Sequence, residues 1–334
     1  MTHTDSPLSP RAQDGADLLL RLLEGMIHIR RFEELVVEVY GQQDMKSPVH
    51  LYIGEEAVAV GVCDHLRPED YLFSTHRNHG HCLAKGMRPE ELYAEFYGRE
   101  AGCCRGKGGS MHSSSAAHNI LGTSAIVGGG IPLAAGAALA SLLRRDGRIS
   151  VGFFGDGASE EGTFHESLSF AALKKLPVLF VCENNFYATA SPLRARQPDP
   201  DIHRRAQGYG IPATLVDGND VVAVWEAAGE AVARIRDGRG PQFLECRTYR
   251  WKGHVGPECD WEKGCRPREE LLEWMERCPI ARLRERLGRE ALPEERFQAM
   301  IQAADARHRL ALEYARACPF PPAEEALTQV YQEN

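Results

Sequence analysis

Short apolar runs alternate with helical segments through the middle of the chain, and this alternation restricts the possible folds more than any other feature. The apolar runs are Ile149–Phe154 and Pro177–Cys182, and two more predicted strands follow at Ala213–Val216 and Gln242–Thr248. Helical periodicity separates them at 159–174 and 219–236. Repeated strand–helix–strand units imply a parallel sheet with right-handed crossovers. We therefore predict an α/β fold in which helices flank a central parallel sheet.

Helices are expected at both ends of the chain. Apolar residues recur mostly three or four positions apart from Asp17 to Tyr40, a pattern typical of one long amphipathic helix. Residues 54–66 and 89–98 favour two further helices, and helical patterns dominate again from Glu269 onward. We expect residues 1–16 to form a flexible arm and residues 17–334 to form a single domain.

Residues 102–130 are rich in glycine and serine and lack periodicity, so a long irregular segment is predicted there. Irregular segments of this length inside a compact domain are usually functional or disordered. The following segment, IPLAAGAALASLL, predicts a helix whose small residues can pack closely against a neighbour.

Composition excludes several classes of function. The formal net charge of −8 argues against partners such as nucleic acid or an anionic membrane surface. The polar N-terminus does not resemble a signal peptide, and apolar stretches long enough to span a membrane are missing, so we expect a cytoplasmic protein. Most of the ten cysteines are expected to be reduced. Cys259 and Cys265 lie near His254 but lack the CxxC spacing of a zinc site.

Polar residues follow two of the predicted strands at the points where those strands end. Gly155, Asp156 and Gly157 come after the first strand, and Glu183-Asn184-Asn185 comes after the second. The ends of parallel strands meet at one edge of a sheet, where ligands bind in open α/β folds. Asp156 and Asn185 should therefore converge.

The residue types at this edge suit Mg²⁺ together with a diphosphate. Carboxylate and amide oxygens are ligands of hard cations, and phosphate oxygens commonly complete the coordination. Gly155 and Gly157 allow a tight turn, and a helix starting near Ala158 would offer free N–H groups to phosphate. Glu160 and Glu161 are expected to point away from such an anion.

The GDG and NN pair at this spacing resembles the thiamine diphosphate motif. The string GDGASEEGTFHESLSFAALKKLPVLFVCENNFYA resembles the E1α subunits of pyruvate, branched-chain and acetoin dehydrogenases. The resemblance extends over nearly the whole chain through HLYIGEEAVAVG (50–61), HRNHGHCLAKG (76–86), GKGGSMH (106–112), IVGGGIPLAAG (126–136), YGIPATLVDGND (209–220) and TYRWKGH (248–254). It implies a thiamine-diphosphate-binding fold that holds the Mg²⁺–diphosphate end of the cofactor.

The same resemblance implies roles for individual residues. The implied metal ligands are Asp156, Asn185 and the backbone carbonyl of Tyr187. The implied cofactor contacts are His76, Arg77, Gly155, Gly157, Ala158 and His254 around the diphosphate, and Gly128, Gly130 and Ile131 at the aminopyrimidine ring. The implied catalytic residues are His254 and His79, with Ser110 nearby.

The sequence departs from the family pattern at two places that matter for specificity. His76 stands where the family usually has tyrosine, and a histidine makes a phosphate contact more sensitive to pH. Residues 255–267, VGPECDWEKGCRP, replace a loop that carries regulatory serines in some relatives and faces the lipoyl domain. This replacement contains neither serine nor threonine, so phosphorylation control cannot act within it.

The resemblance also implies an activity and partners. The enzyme would decarboxylate a pyruvate-like 2-oxo acid and pass the acyl unit to a lipoyl group on an E2 acyltransferase. The glutamate that acts at the pyrimidine ring resembles a contribution from a β subunit, so we expect an α₂β₂ heterotetramer. The alternative is an acetoin-type cleavage enzyme or carboligase that is not coupled to a conventional E2 and takes an acyloin substrate.

Other interpretations of the same residues are weaker. His76, His79 and His81 favour a hydrogen-bonded rim over a zinc cluster, because no acid or cysteine stands at ligand spacing. His165-Glu166 lacks the second histidine of HExxH, and 128–130 is a poor match to the dinucleotide fingerprint. A non-catalytic regulatory subunit is disfavoured because Asp156, Asn185 and Arg77 are all present.

Overall fold

The computed structural model describes residues 10–45 and 47–328, and a six-stranded parallel sheet lies at its centre. The strand order is β2-β1-β3-β4-β8-β7, and each neighbouring pair is parallel. The strands are β1 (Tyr71–Thr75), β2 (Ile120–Ser124), β3 (Ser150–Gly155), β4 (Val178–Asn184), the short antiparallel pair β5 (Tyr187–Ala188) and β6 (Ser191–Pro192), β7 (Ala213–Asp217) and β8 (Gln242–Arg247). The predicted central parallel sheet flanked by helices is confirmed.

Twelve helices surround this sheet in the described part of the chain. They are α1 (Pro10–Tyr40), α2 (Glu56–Cys63), α3 (His79–Ala84), α4 (Pro89–Phe96), α5 (Gly130–Arg144), α6 (Gly162–Lys174), α7 (Leu193–Arg196), α8 (His203–Gly208), α9 (Val221–Arg236), α10 (Arg268–Glu276), α11 (Pro279–Ala291) and α12 (Glu294–Ala317). Across residues 10–45 and 47–328, none of them is long and apolar enough to cross a membrane.

The central strands are buried on both faces because helices cover the two sides of the sheet. Val151 and Phe153 of β3 belong to the larger apolar core, which includes residues from α1, α2, α9 and α12. Phe154 of β3 and Phe180 of β4 face the opposite core, which contains residues of α5 and α6. Continuous apolar strands of this kind are expected when a parallel sheet is covered on both sides.

Helix α5 packs its small residues against the sheet of its own chain. Ala134 and Ala138 are fully buried, and a Cβ placed on Gly152 of β3 would lie only 3.0 Å from the Cβ of Ala134. The small residues of α5 predicted close packing against a neighbouring element. That neighbour is strand β3. The larger side chains Leu133 and Leu143 remain on the outer surface.

Several predicted boundaries are corrected by the structure. Helix α1 begins at Pro10 rather than at Asp17, and proline suits a first helical turn because it has no N–H to leave unpaired. The rest of the proposed arm, residues 1–9, lies outside the described residues. Helix α6 begins at Gly162, after a 3-10 turn at Asp156–Glu160, rather than near Ala158.

The glycine-rich segment is more regular than its composition predicts, because β2 lies inside it and pairs with β1. Its first part is irregular and is tied down by one buried carboxylate. Glu95 accepts hydrogen bonds from the backbone N–H groups of Cys104, Gly106, Gly108 and Gly109, at 2.7, 3.0, 2.6 and 3.1 Å. These bonds replace the backbone pairing that a helix or strand would have supplied.

Candidate functional site

A cavity of about 310 Å³ lies where β3 and β4 end, at the carboxyl edge of the sheet. Asp156 and Asn185 both line it, as the parallel arrangement of these strands predicts. The other predicted residues in its wall are His76, Arg77, Gly155, Gly157, Tyr187 and His254. The strand–helix–strand unit therefore brings together residues that are far apart in the sequence.

Asp156 is buried and is held by a short segment that follows β6. The Arg196 guanidinium donates to the carboxylates of both Asp156 and Glu160. The Gln197 amide also donates to the Asp156 backbone carbonyl at 3.3 Å. Burial raises the pKa of Asp156 even though the positive charge of Arg196 opposes that shift.

The prediction that Glu160 and Glu161 point away from this site is wrong, because both line the cavity. The charge of Glu160 is offset by Arg196, an ion pair that joins two segments distant in sequence. The helical pattern at 159–174 could not indicate that Arg196 would pair with Glu160, because the position of Arg196 depends on the fold of residues 191–197.

Asn185 is oriented by a buried acid. Its side-chain N–H donates to the Oε1 atom of Glu55 at 3.1 Å, and its amide oxygen accepts a longer hydrogen bond, of 3.4 Å, from the Tyr187 backbone N–H. Glu55 is fully buried, its Oε2 atom has no hydrogen bond, and it lies 3.7 Å from the Arg77 guanidinium. Burial raises the pKa of Glu55 to about 7, against the effect of Arg77.

Two buried arginines in the cavity wall offer positive groups beside its acids. Arg77 donates to the backbone carbonyls of Leu51 at 2.7 Å and His254 at 3.1 Å, so its guanidinium is fixed in place. Arg250 donates to Asp260 at 2.7 Å and to the Thr189 carbonyl at 2.5 Å. Fixed guanidinium groups of this kind are well suited to binding an anion.

His76 and His254 line one end of the cavity, and the His50 ring packs against both of them. The ring centroids of His50, His76 and His254 lie 4.4, 5.2 and 5.1 Å from one another. Burial, reinforced by the charge of Arg77, lowers their pKa values to about 3, 2 and 4. All three rings are therefore neutral at neutral pH.

Sequence reasoning missed three of these residues. His50 and Glu55 lie within the string HLYIGEEAVAVG, and Arg250 lies within TYRWKGH. Their position in segments that resemble the E1α family was the signal that could have marked these three residues as part of the site. The strings alone did not show that Glu55 and Arg250 line the cavity or that His50 packs against His76 and His254.

Some predicted residues are not brought to the cavity. His79 is fully buried between Glu33, whose carboxylate is 3.0 Å from Nδ1, and Ser110, whose hydroxyl is 2.8 Å from Nε2. Ala158 and Ile131 belong to the apolar core. From the neighbouring turn, Val127 reaches the cavity wall in place of Gly128 and Gly130.

The replaced segment at 255–267 is held by ion pairs. The Asp260 carboxylate lies 2.7 Å from Arg250 and 3.1 Å from Arg266, and both arginines are buried. Cys259 and Cys265 are free thiols. Asp260 therefore fixes the segment without the help of a disulfide.

A parallel sheet with a glycine turn, a carboxylate, an amide and two fixed arginines at its carboxyl edge defines an α/β protein suited to a phosphorylated ligand. Residues 24–324 match the family model described as dehydrogenase E1 component. The acetoin:2,6-dichlorophenolindophenol oxidoreductase α subunit of Bacillus subtilis (strain 168) is 43% identical over 312 residues, covering 93% of each chain. The Cupriavidus necator protein of the same name is 41% identical, covering 96% of this chain and 98% of its own length.

The pyruvate dehydrogenase E1 component α subunit of Porphyra purpurea is 38% identical, covering 95% of this chain and 93% of its own length. The chain therefore belongs to the 2-oxo acid dehydrogenase E1 family, on its α-subunit branch. This family depends on thiamine diphosphate, so the ligand expected at the sheet edge is a phosphorylated cofactor.

Proposed function

We propose that this chain is the α subunit of a heteromeric E1 enzyme and holds the diphosphate end of thiamine diphosphate through Mg²⁺. The observation that carries the proposal is the convergence of Asp156, Asn185 and Arg77 on one cavity. Asp156 and Asn185 supply the oxygen ligands that Mg²⁺ prefers, and the Tyr187 backbone carbonyl completes the protein's share. Arg77 and the glycine turn 155–157 would bind the diphosphate.

The residues present fit this group on grounds of charge and space. Glu55 holds the nitrogen side of the Asn185 amide, and the oxygen accepts one long hydrogen bond from the Tyr187 backbone N–H, so a second lone pair is available to a cation. A Cβ on Gly157 would lie 3.0 Å from that of Ala188, so glycine keeps this wall of the cavity open. Arg196 balances the negative charge of Asp156 in this structure, and a bound Mg²⁺ would balance part of that charge in its place.

Thiamine diphosphate, when bound, supplies a nucleophilic ring carbon and an electron sink for cleavage of the bond beside a substrate carbonyl. The role of this chain is to hold the cofactor in place and to line the path by which substrate reaches it. His254 and His76 present neutral rings at the cavity wall, where they can accept or donate a hydrogen bond to substrate. We assign His79 a positioning role, since its ring supports Ser110 instead of facing the cavity.

We infer a β-subunit partner from the exposed surface of α5 and α6. Leu133 and Leu143 of α5 are 55% and 74% exposed, and Leu173 of the adjoining α6 is 75% exposed. Apolar side chains grouped in this way mark protein interfaces. The relatives from Bacillus subtilis and Cupriavidus necator are themselves named as α subunits. An α₂β₂ heterotetramer accounts for both observations.

The substrate we propose is a small 2-oxo acid, with a lipoyl group of an E2 acyltransferase as the acceptor. An acyloin is the second candidate, and two observations favour it. The relatives from Bacillus subtilis and Cupriavidus necator are named for acetoin. The neutral rings of His76 and His254 at the cavity wall also suit a hydroxyl group, which can both donate and accept hydrogen bonds.

The test is turnover by the chain co-purified with its β subunit, with Mg²⁺ and thiamine diphosphate present and 2,6-dichlorophenolindophenol as the electron acceptor. Pyruvate, a branched 2-oxo acid and acetoin are compared at equal concentration. We expect cofactor-dependent dye reduction with at least one 2-oxo acid. Reduction with acetoin alone would transfer the assignment to the second candidate. A stable complex that binds the cofactor and oxidises none of the three would contradict the proposed activity.

A further inference from the structure

Cys103 and Cys104 are adjacent thiols that the proposed activity does not use. They occupy the two central positions of a tight turn, which is closed by a hydrogen bond from the Arg105 backbone N–H to the Gly102 carbonyl at 2.9 Å. Both sulfur atoms lie within 4.8 Å of each other and of a carboxylate oxygen of Glu95. Adjacent side chains of an extended strand point to opposite sides, so it is the turn that brings these two thiols together.

The two thiols differ in acidity. The Cys103 thiol donates to the Cys104 sulfur, which lowers the pKa of Cys104 and raises that of Cys103. The Ser114 backbone N–H also donates to the Cys104 sulfur, at 3.2 Å. Burial and the charge of Glu95 oppose the shift at Cys104, but the Glu95 carboxylate is already engaged by four backbone N–H groups. Cys104 is therefore the more acidic thiol, and the thiolate is the nucleophilic form of cysteine.

We propose that Cys103 and Cys104 are a reversible oxidation site, which closes to a disulfide between the two adjacent residues. Both side chains are partly exposed, so small solutes reach them. Neighbouring Cα atoms are closer together than those of ordinary disulfides, so a bond between them is strained and small thiols reduce it readily. The pair can therefore return to two thiols when the oxidant is removed.

Hydrogen peroxide is the oxidant that we assign to this site, and the reaction balances with it alone. The Cys104 thiolate attacks one peroxide oxygen, the O–O bond breaks, and a sulfenic acid forms at Cys104. The Cys103 sulfur then attacks the Cys104 sulfur, the S–S bond forms, and water leaves. In total, two thiols and one peroxide give one disulfide and two water molecules. Sulfur is oxidised and the peroxide oxygen is reduced.

Cys82 is a third thiol near this pair, and its surroundings separate it from the other two. It lies on α3 and is fully buried, with its sulfur 3.4 Å from the Asn78 side-chain oxygen and 3.8 Å from the Ser113 carbonyl. Burial raises the pKa of the Cys82 thiol. Cys103 is therefore the residue that should react with an oxidised Cys104, because it lies in the same turn and is partly exposed.

Oxidation would alter the contacts of the glycine-rich segment that follows the turn. In its thiol form, Cys104 lies 3.1 Å from the His112 carbonyl and 3.4 Å from the Ser114 carbonyl, within reach to donate a hydrogen bond. A disulfide sulfur has no hydrogen to donate, so the turn loses this link. The same segment carries Ser110, whose hydroxyl lies 2.8 Å from His79. The oxidation state of the pair therefore acts on the segment that supports His79.

The test is peptide mass spectrometry of the full-length chain after exposure to hydrogen peroxide and alkylation of the remaining thiols. We expect wild type to yield a peptide in which Cys103 and Cys104 carry no alkyl group and have lost two hydrogens. Dithiothreitol should restore two alkylated thiols. Cys103→Ser and Cys104→Ser should each abolish this product. Cys265→Ser, a change at another partly exposed thiol, should leave it unchanged.

Alkylation of both thiols after peroxide treatment would overturn the proposal, as would a disulfide from either of them to Cys82. A second measurement does not depend on how the variants fold. Phenylarsine oxide bridges two neighbouring thiols, so it should protect Cys103 and Cys104 of wild type together from alkylation, and prior oxidation should prevent its binding. Failure to protect the pair would also overturn the assignment. These readouts are independent of the proposed enzyme activity, because they require neither thiamine diphosphate nor the β subunit.

Discussion

At the scale of single residues, Asp156 decides whether the cavity can hold a cation. Its carboxylate lies at the end of β3, lines the cavity and is buried beside Arg196. Replacement by asparagine keeps the shape and removes the charge. We expect Asp156→Asn to reduce Mg²⁺-dependent affinity for thiamine diphosphate at least about tenfold, by analogy with the cost of changes around metal ligands.

Calorimetric titration of the cofactor into the complex measures this change. Asp237→Asn serves as the control, because Asp237 is an exposed residue at the end of α9. Unchanged cofactor affinity in Asp156→Asn would show that this carboxylate is not a ligand.

Arg196 gives a second prediction at this scale. It balances the charges of Asp156 and Glu160, so Arg196→Gln leaves two acids without their main partner. Removing one member of a buried pair costs roughly 3–5 kcal/mol when the other stays charged. We expect the variant to have a lower melting temperature without metal, and Mg²⁺ to raise it more than in wild type.

Thermal unfolding with and without Mg²⁺, in the presence of thiamine diphosphate, tests this account. An equal shift in both proteins would mean that Arg196 and the cation do not share the charge of Asp156.

The sequence was sufficient to predict the convergence of Asp156 and Asn185, because parallel strands place both loops at one edge. It was not sufficient for Arg196, Glu55 or His50. Glu55 reaches the cavity from another segment, and Arg196 and His50 contact residues of its wall. Tertiary packing sets the orientation of each of the three. His79 was predicted at the site from the family resemblance, but its partners Glu33 and Ser110 hold it in the interior.

At the scale of elements, strands β3 and β4 could be predicted from short apolar runs, and β7 and β8 from the strand–helix alternation that continues after them. Strand β2 was hidden among glycine and serine, and its pairing with β1 depends on the fold. The start of α6 was also misplaced, because the pattern of the helix continues back through the 3-10 turn at Asp156–Glu160.

The packing of α1 against α12 predicts a dependence of stability on pH. The His28 and His308 rings stack with centroids 4.6 Å apart, and burial lowers their pKa values to about 3 and 4. The unfolded chain takes up protons on these rings below its ordinary pKa of about 6.5, and the folded chain does not. Stability should therefore fall as the pH decreases from about 6.5 towards 4.

His308→Gln removes one of these groups and should make that fall shallower, by up to ~1.4 kcal/mol per pH unit. Urea unfolding at several pH values measures the difference. The same slope in wild type and variant would show that His308 titrates normally in the folded protein.

At the scale of the whole molecule, the outer faces of α5 and α6 carry the proposed contact with the β subunit. Leu143→Asp together with Leu173→Asp should weaken the complex, because charges would be buried against an apolar partner. Leu310→Asp on α12 is a control, since Leu310 is 66% exposed on a different helix. Light scattering of the co-expressed proteins reports the assembly, and an intact heterotetramer in the double variant would place the interface elsewhere.

The central claim is that this chain contributes the metal and diphosphate part of a shared active site. The most direct measurement is dye-coupled turnover by the purified chain while its β subunit is added in increasing amounts. We expect no turnover from the chain alone and activity that saturates at one β subunit per α subunit. Full activity from the chain alone would contradict the account, because every catalytic group would then lie within these 334 residues.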